Sequence, residues 1–289
     1  METAELYQIY KPLLFSIAYR MTGSVMDAED IIHESFLTFS RLANEKKIEN
    51  EKAYLCRMVM NSSIDKLRSA ASKREVYVGE WLPEPIVEEA NEPSHLYLMK
   101  ESISTAYLLL LQQLSEVERA VFLLREVFQY SYEEIGEIVE KSATNCRQIY
   151  HRSKKGITNR PKASTLDFQS MKSSIEQFTL ALQKGNIDKM LEILRTDAVL
   201  ISDGGGKVTA ALKPIYTSQR IISLFSNILK KFPENYILEF KDVNGSPGVV
   251  LTINGYIAYV LSFEFEANQI ARIFMVANPD KLGHLQIRG

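Results

Sequence analysis

One stretch constrains this chain more than any other. Residues 131–155, SYEEIGEIVEKSATNCRQIYHRSKK, read as a helix, a tight turn at residues 140–141 and a second, basic helix. Ser131 and Glu134 have the spacing of a capping box, in which a hydroxyl and a carboxylate satisfy free backbone N–H groups at a helix start. Ser142 is a favourable N-cap for the second helix. The stretch therefore predicts a helix-turn-helix.

The second helix of this stretch presents polar and basic side chains opposite its apolar positions. Those positions, Cys146, Ile149 and Tyr150, recur at three- and four-residue steps. Asn, Gln and Arg side chains make paired hydrogen bonds to adenine or guanine edges in the major groove. We therefore predict contacts with DNA, and a merely solvated basic face is the alternative interpretation. The residues predicted to make these contacts are Asn145, Arg147, Gln148, His151, Arg152, Lys154 and Lys155.

Composition limits the remaining possibilities. The 289-residue chain is long enough for two or three domains, and its formal net charge of −2 argues against an unspecific coat protein for nucleic acid. Its two cysteines, Cys56 and Cys146, form no metal-binding or disulfide pattern, so we expect neither a metal nor a cofactor. No apolar run of about 18 residues occurs in the sequence, and its first 15 residues carry acids before any base and no small-residue cleavage site. We therefore expect no membrane contact and a cytoplasmic location.

Residues 1–75 predict three helices, at 4–21, from Asp27 onward and at 51–74. Acidic residues crowd the first two turns of the second helix, where they favour the positive end of the helix dipole. The third helix combines an apolar stripe (Tyr54, Leu55, Met58, Val59 and Leu67) with a polar and basic remainder. Acids of the second helix are Asp27, Glu29, Asp30 and Glu34, and the polar and basic residues of the third include Asn61, Lys66, Arg68, Lys73 and Arg74.

At this point the chain resembles a known family. DAEDIIHESFLTF at 27–39 and AYLCRMVMNSSIDKLRSAASKRE at 53–75 are similar to the polymerase-binding and promoter-melting helices of bacterial extracytoplasmic-function sigma factors of the sigma-70 family. The helix-turn-helix resembles their second DNA-binding domain. The resemblance implies two partners: promoter DNA, and core RNA polymerase contacted at the β′ clamp coiled coil and the β flap.

The same resemblance distributes roles among residues already named. It implies that Asp27, Glu29, Asp30 and Glu34 contact the clamp coiled coil. It implies that Asn61, Lys66, Arg68, Lys73 and Arg74 lie against the separated −10 strand, and that the helix-turn-helix binds the −35 element as duplex. A basic groove with hydrogen bonds to unstacked bases is physically suited to a single strand.

Three further motifs refine the resemblance. WLPEP at 81–85 lies in an acidic, proline-containing linker, where Trp81 and Leu82 are expected to dock on another surface. DGGGK at 203–207 lacks the spacing of a phosphate loop and predicts a turn with positive φ. NPDKL at 278–282 predicts a turn or a helix stop.

These three motifs occur together in sigma factors with a SnoaL-like C-terminal extension. The resemblance implies that the extension contacts the first sigma domain and the linker and controls activity in cis. From their charge, Lys207 and Lys281 are expected to face the acidic linker. The residues expected to form the regulatory contacts are Trp81, Leu82, Pro83, Glu84, Pro85, Asp203, Gly204, Gly205, Gly206, Lys207, Asn278, Pro279, Asp280, Lys281 and Leu282.

The remaining elements predict two more helices before the helix-turn-helix and an α+β domain after it. The helices are expected at 94–113 and 115–127. In the C-terminal part we predict helices at 165–184, 187–195 and 218–232, strands at 198–202 and 208–214, and a final run of antiparallel strands at 236–243, 248–253, 256–266 and 269–277. Asn244-Gly245 and Asn254-Gly255 predict turns between strands, and Asn254-Gly255 is a strong hairpin signal. The order resembles the cone-shaped fold of SnoaL-type cyclases and ketosteroid isomerases.

The predicted protein is therefore multidomain, with two all-α sigma domains followed by an α+β cone-shaped SnoaL-like domain. Its expected divisions are 1–75 for region 2, 76–93 for the linker, 94–160 for region 4 and 164–289 for the regulatory extension. We expect a sigma factor, not an enzyme, regulated in cis, with an unidentified small ligand as a further partner of the C-terminal pocket.

Two alternatives remain open at this stage. The first is a ligand-sensing helix-turn-helix regulator without polymerase contact. The second is a cyclase- or isomerase-type enzyme that uses a pocket carboxylate such as Asp203 or Asp242. Against the enzyme, the acids Asp203, Glu239, Asp242, Glu264 and Glu266 lie mostly at strand ends or alternate with apolar residues as on an outer face.

Overall fold

The computed structural model describes residues 3–45, 48–74, 76–87, 103–157, 166–233 and 235–286. These residues form two units. The first contains the described residues up to Val76, Ile103, and those from Tyr107 to 157; the second contains 77–87, 104–106 and everything from 166 onward. Within the described ranges, no helix combines the length and apolar character that a membrane span requires.

The first unit begins with three helices: α1 (Thr3–Thr22), α2 (Val25–Glu45) and α3 (Glu51–Arg74). Gly23 ends α1 with φ of 70°, a left-handed conformation that glycine adopts without strain. The next residue then starts α2, because Ser24 Oγ accepts a hydrogen bond from Asp27 N at 3.1 Å. Asn50 Oδ1 caps α3 in the same way, accepting from Ala53 N at 3.0 Å.

The apolar faces of these three helices bury one another. Leu14, Ile17 and Met21 of α1 are fully buried, and Phe36 and Phe39 of α2 are nearly so. The stripe predicted for α3 is partly wrong. Its buried face follows Leu55, Cys56, Val59, Met60, Ser63 and Ile64, whereas Tyr54, Met58 and Leu67 are only partly buried.

Four shorter helices follow: α4 (Thr105–Leu111), of which Thr105 and Ala106 belong to the second unit, and then α5 (Glu116–Glu126), α6 (Tyr132–Val139) and α7 (Ala143–Gly156) of the first unit. The predicted helix at 94–113 is shorter, because Ile103 and Ser104 are not helical, and residues 94–102 lie outside the described part. Both predicted capping boxes are confirmed, at Ser115 with α5 and Ser131 with α6.

The turn between α6 and α7 is as tight as predicted. Glu140 adopts the left-handed conformation with φ of 56°. A Cβ at Gly136 would lie 2.5 Å from the carbonyl oxygen of Lys141, so a glycine lets the chain reverse this closely. Ser142 Oγ then accepts from Asn145 N at 3.2 Å and caps α7.

The second unit is an α+β domain, as predicted. Its helices are α8 (Phe168–Gln183), α9 (Ile187–Ile193), α10 (Ser218–Leu229) and α11 (Pro279–Gln286). Its strands are β1 (Leu194–Asp203), β2 (Ile215–Tyr216), β3 (Tyr236–Val243), β4 (Ser246–Ile253), β5 (Tyr256–Glu266) and β6 (Gln269–Val276). They form one sheet in the order β2-β1-β6-β5-β4-β3.

One pair of neighbouring strands in the sheet is parallel. β1 runs parallel to β6, whereas every other neighbouring pair is antiparallel. The predicted final run of antiparallel strands is therefore confirmed for β3 to β6, and the parallel pairing of β1 was not predicted. A parallel pair needs a long crossover connection, and here α10 and the β3–β5 hairpins lie between the two strands in the chain.

One predicted strand is absent. Residues 208–214 form no strand; only Ile215 and Tyr216 pair with β1. The hydroxyl of Ser202 takes up the backbone polar groups of Ala211, accepting from its N–H at 3.0 Å and donating to its carbonyl at 3.1 Å. A side chain thus replaces the ladder contacts that a strand at this position would make.

The core of the second unit lies between one face of the sheet and helices α8 to α10. Phe263, Phe265, Ile273 and Met275 belong to it, as predicted. Two acids expected on an outer face or strand end are instead buried. Asp203 has no exposed surface. Glu264 is 8% exposed and accepts from Arg272 Nη1 at 2.6 Å; burial raises the pKa of Glu264, and Arg272 opposes that rise.

Candidate functional site

The outward face of α7 carries the residues predicted to bind DNA. Cys146 and Ile149 are buried and fix the rotation of the helix. Exposed side chains of this face are Asn145, Arg147, Gln148, His151, Arg152, Lys154 and Lys155. The first three lie in the first two turns of the helix, where a recognition helix contacts base edges.

Two of these basic residues are already paired with acids of α5. Arg152 Nε donates to Glu118 Oε1 at 2.7 Å, and Lys154 Nζ lies 3.7 Å from Glu126 Oε2. Burial works to raise the pKa of Glu118, but hydrogen bonds from Ser115 and Arg152 outweigh it and hold that pKa below its ordinary value. Glu118 therefore stays ionised and offsets the charge of Arg152.

In α2 and α3, residues assigned to different partners lie together. Lys66 Nζ is 2.8 Å from Asp27 Oδ1, and the hydrogen bond to Asp27 raises the pKa of Lys66. Arg68 pairs with Glu116 at 3.2 Å and with Asp65 at 3.4 Å. The structure thus brings a predicted polymerase contact against a predicted −10 contact.

The remaining residues of this surface differ in exposure. Glu29, Asp30 and Glu34 are exposed on α2, and Asn61 is half-buried on α3. The side chains of Lys73 and Arg74 lie outside the described part of the structure. Met26 and Leu37, respectively 46% and 50% exposed, accompany the acids on α2, and the acidic pattern of the sequence gives no sign of them.

The WLPEP, DGGGK and NPDKL motifs meet in the second unit. We call residues 77–87 the linker segment; from Leu82 to Val87 it is buried. Its contacts centre on Asp203, the last residue of β1. We call Tyr77, Leu82, Asp203, Asn278 and Lys281 the Asp203 cluster.

Each carboxylate oxygen of Asp203 accepts two hydrogen bonds. Oδ1 accepts from Tyr77 Oη at 2.5 Å and from Gly205 N at 3.0 Å. Oδ2 accepts from Leu82 N at 2.9 Å and from Lys281 Nζ at 2.7 Å. A buried carboxylate with this many donors is satisfied in its ionised form.

Lys281 joins the linker segment to the C-terminal motifs. Its side chain is 6% exposed, and Nζ also donates to the carbonyl oxygen of Leu82 at 2.5 Å. The ammonium lies 3.8 Å from the centroid of the Trp81 ring, a cation–π distance. The cation therefore contacts a carboxylate, a backbone carbonyl and an indole at once.

Asn278 supports the cluster and starts a helix. Its Nδ2 donates to Tyr77 Oη at 2.9 Å, and its Oδ1 accepts from Asp280 N at 3.1 Å. The prediction that NPDKL is a stop or simple turn was wrong, because Asn278 caps α11 and Pro279 occupies the first helical position, where no N–H is needed.

The glycines of DGGGK allow the loop to approach its neighbours closely. Gly205 and Gly206 have φ of 59° and 70°, as the motif predicted. A Cβ on Gly205 would lie 2.2 Å from Asn278 Nδ2, and one on Gly206 would lie 3.0 Å from Val78 Cβ. Any larger residue at position 205 would displace Asn278.

Lys207 does not have the environment expected of it. Its Nζ pairs with Asp280 at 2.6 Å, and both side chains are more than half exposed. The pair therefore joins DGGGK to NPDKL at the surface. Lys281 reaches the linker segment through the Leu82 carbonyl and the Trp81 ring.

A second anchor holds the far end of the linker segment. Ile86 N donates to Asn244 Oδ1, and Asn244 N donates to the Ile86 carbonyl, both at 2.8 Å. Asn244 Nδ2 donates to Thr105 Oγ1 at 3.1 Å, and this hydroxyl lies 2.8 Å from Ser262 Oγ. His284 Nε2 is 2.9 Å from the Pro85 carbonyl oxygen.

Several of these residues had no usable signal in the sequence. Asn244 was identified only as the first residue of an Asn-Gly turn, and its φ of 55° confirms that turn. Its side chain gives no sign of the contact with Ile86. Tyr77, Thr105 and Ser262 belong to no motif, because their partners are distant in the chain.

The second unit also contains an apolar cavity of about 60 Å³ between α8, α10 and the sheet. Phe178, Phe225, Tyr259, Phe263 and Met275 are among its lining residues. Neither Asp203 nor Asp242, the carboxylates named for an enzymatic alternative, is part of the lining.

Comparison with known proteins identifies the two helical segments. Residues 6–73 match the family described as sigma-70 region 2, and residues 104–156 match that described as sigma-70, region 4. The sigma factor SigJ of Mycobacterium tuberculosis, described as an ECF RNA polymerase sigma factor, is 28% identical over 97% of this chain and 93% of its own length. A probable ECF sigma factor of the same organism, SigI, is 25% identical over 97% and 94%.

The crystal structure of SigJ shares the fold over nearly the whole length. It has a TM-score of 0.78 and 24% identity and covers 98% of each chain. The sigma-factor resemblance and the fold class stated from the motifs are thus confirmed, and the alternative of a regulator without polymerase contact is not favoured. The chain thus carries sigma-70 region 2 and sigma-70 region 4, and over nearly its whole length it is a homologue of extracytoplasmic-function sigma factors.

Proposed function

We propose that this sigma factor directs core RNA polymerase to promoters by reading −35 duplex with α7 and the opened −10 strand with α3. We further propose that its C-terminal domain regulates it in cis by holding the linker segment. The observation that carries the regulatory proposal is the buried ion pair of Asp203 and Lys281, which closes on Leu82 and Trp81.

The −35 proposal is supported by what α7 exposes. Asn145, Arg147 and Gln148 carry side chains that pair with base edges, and all three are exposed at the start of a capped helix. Arg152 and Lys154 already have acidic partners in α5. In this proposal the first three residues discriminate sequence, and Lys155 contributes mainly phosphate contact.

For the polymerase, the proposed contacts are the β′ clamp coiled coil with α2 and the β flap with the helix-turn-helix domain. Exposed Glu29, Asp30 and Glu34 support the first contact, with Met26 and Leu37 adding apolar area beside them. Asp27 has a further role, because its carboxylate holds the ammonium of Lys66.

The proposed regulation in cis is argued from the length of the linker. Elements named −35 and −10 are centred about 25 base pairs apart, roughly 85 Å of B-DNA. The linker joins regions 2 and 4, so its free length limits how widely they can separate. Holding residues 77–87 removes roughly 35 Å of extended chain at about 3.3 Å per residue. Release of the linker segment would therefore permit promoter engagement.

No reaction of its own is proposed for this protein. The carboxylates that an isomerase-type mechanism would use do not line the apolar cavity. In this proposal the cavity accepts a small apolar ligand. Thr179 and Tyr259 are the lining residues with hydroxyl groups, and because the Thr179 hydroxyl already donates to the Ile175 carbonyl at 2.8 Å, Tyr259 is proposed to orient the ligand. The proposed place of action of this sigma factor is the cytoplasm, where promoter DNA is found.

The test is promoter-specific run-off transcription with purified core RNA polymerase on templates with random upstream sequences. A transcript that needs both core polymerase and this chain is expected, and the selected templates would define its −35 and −10 elements. DNA binding without any core-dependent transcript, from the full chain and from a form ending at Pro161, would contradict the proposal.

A further inference from the structure

An aromatic ring outside the recognition helix contacts one of its proposed base-reading residues. The guanidinium carbon of Arg147 lies over the ring of Tyr132, 5.0 Å from the ring centroid. Tyr132 is the first residue of α6, and Arg147 lies in the second turn of α7. The contact therefore links the two helices of the helix-turn-helix on their exposed side.

The ring of Tyr132 is held in place by its own neighbours. Tyr150 lies edge-on to it, with ring centroids 6.2 Å apart. Tyr150 is fixed in turn by stacking on Phe122 at 6.3 Å and by donating its hydroxyl proton to Glu126. Arg147 thus rests on a ring supported by an ordered aromatic cluster.

The guanidinium of Arg125 also lies over the Tyr132 ring. The guanidinium carbon of Arg125 is 4.8 Å from the Tyr132 centroid, and its Nη1 donates to the Tyr130 carbonyl at 2.8 Å. Arg125 is therefore anchored to the backbone. Like charges repel, so its presence disfavours conformers in which Arg147 moves toward α5.

We propose that Tyr132 is a positioning residue for promoter recognition, which holds the Arg147 guanidinium ready to donate to a guanine edge. This inference rests on the proposed −35 function of α7. The N–H donors of a guanidinium lie in its plane, so a guanidinium that meets a ring with its face keeps them directed away from the ring. In this proposal Arg147 meets Tyr132 in that way, which leaves its paired donors available for guanine O6 and N7.

The energetic advantage is one of preorganisation. A free arginine side chain samples many rotamers, and ordering them opposes binding. A ring that restricts Arg147 before DNA arrives reduces that entropic cost. At an exposed site a cation–π contact changes an equilibrium by about two- to five-fold, which sets the size of the expected effect.

The experiment uses holoenzyme formed from the full chain and core polymerase, with promoters that carry each base pair at each −35 position. Competition transcription first identifies the guanine whose preference Arg147→Ala abolishes. Tyr132→Leu is expected to reduce the preference at that same base pair by about two- to five-fold, with other positions unchanged. Tyr132→Phe, which keeps the ring, is expected to retain the preference.

A double variant separates positioning from general damage. In the Arg147→Ala background, Tyr132→Leu should change base preference no further. Tyr256→Leu makes the same replacement at an exposed tyrosine of the second unit and serves as the control. Should the leucine variant lose its fold by circular dichroism, Tyr132→Gln repeats the measurement.

Three outcomes would overturn the inference. An unchanged preference in Tyr132→Leu removes the positioning role while leaving the reading role of Arg147 intact. An equal loss on every promoter assigns Tyr132 to folding alone. If Arg147→Ala itself leaves all base preferences unchanged, the proposed reading by Arg147 is wrong, and the positioning role fails with it.

Discussion

At the scale of single residues, two lysines from neighbouring motifs differ in what their charges contact. Lys281 is buried against Asp203, whereas Lys207 forms a surface pair with Asp280. Removing one partner of a buried pair leaves an uncompensated charge in the interior. An exposed pair contributes little, because water solvates either charge when its partner is lost.

This contrast gives a matched pair of variants. Lys281→Met is expected to lower the free energy of unfolding of the second unit by about 3 to 5 kcal/mol, because Asp203 would remain buried and unpaired. Lys207→Met should cost less than about 1 kcal/mol. Urea unfolding followed by the fluorescence of Trp81, the single tryptophan of the chain, measures both. Equal losses in the two variants would contradict the assigned roles.

Tyr77 makes the Asp203 cluster sensitive to alkaline pH. Burial, followed by the hydrogen bond to Asp203, raises the pKa of Tyr77 above its ordinary value of 10.0. Because the pKa is higher in the folded state, the contribution of Tyr77 to stability is complete below that ordinary value. It declines as the pH rises through and above it.

We therefore expect the linker segment to loosen above about pH 10. Acrylamide quenching of Trp81 between about pH 8 and pH 11 should increase in the native chain. In Tyr77→Phe, which cannot ionise at this position, the increase should be absent. An identical increase in both proteins would show that the transition does not come from Tyr77.

At the scale of elements, the recognition helix divides its basic residues by environment. Lys154 lies near Glu126 and donates to the Tyr150 hydroxyl at 3.3 Å, whereas Lys155 is exposed at the same end of α7. A lysine already beside a carboxylate displaces fewer counterions when it meets a phosphate.

The expected result is a difference in salt dependence. Lys155→Ala should reduce the slope of log affinity against log salt concentration by about 1, equally for all promoter sequences. Lys154→Ala should reduce it by less. Holoenzyme binding to one promoter at several potassium chloride concentrations measures both slopes. A larger change from Lys154→Ala would show that the pair with Glu126 opens when DNA binds.

Elements whose signals are local could be predicted from the sequence. The capping boxes at Ser115 and Ser131 and the Asn-Gly turns involve residues within a few positions, so spacing alone identifies them. Asn278-Pro279 has a local signal too, but the same pair of residues suits a turn and a helix start. Only the cap contact with Asp280 N distinguishes them.

Features that depend on distant residues could not be predicted. Ser202 replaces a strand by bonding Ala211, and β1 pairs in parallel with a strand near the end of the chain. The WLPEP, DGGGK and NPDKL motifs marked the regions that form the Asp203 cluster. Nothing in their spacing indicated that Asp203 would be fully buried, or that Tyr77 would be its partner.

At the scale of the whole molecule, the proposed regulation in cis depends on the linker segment. It is held at the Asp203 cluster and again at Asn244 by buried polar contacts, beside the buried apolar side chains of Leu82, Ile86 and Val87. Such contacts need their exact partners, so losing one weakens the whole attachment more than losing an apolar contact of similar area. A segment held in this way is suited to a two-state switch.

The most direct test of the central claim is run-off transcription from the selected promoter by core RNA polymerase with the native chain, Lys281→Met or Lys207→Met. Trp81 quenching is measured on the same samples. If the linker segment controls activity, we expect more promoter-specific transcript from Lys281→Met, together with a more accessible Trp81, and no change from Lys207→Met. A Lys281→Met protein whose Trp81 has become accessible while its transcript stays at the native level would contradict control through the linker segment.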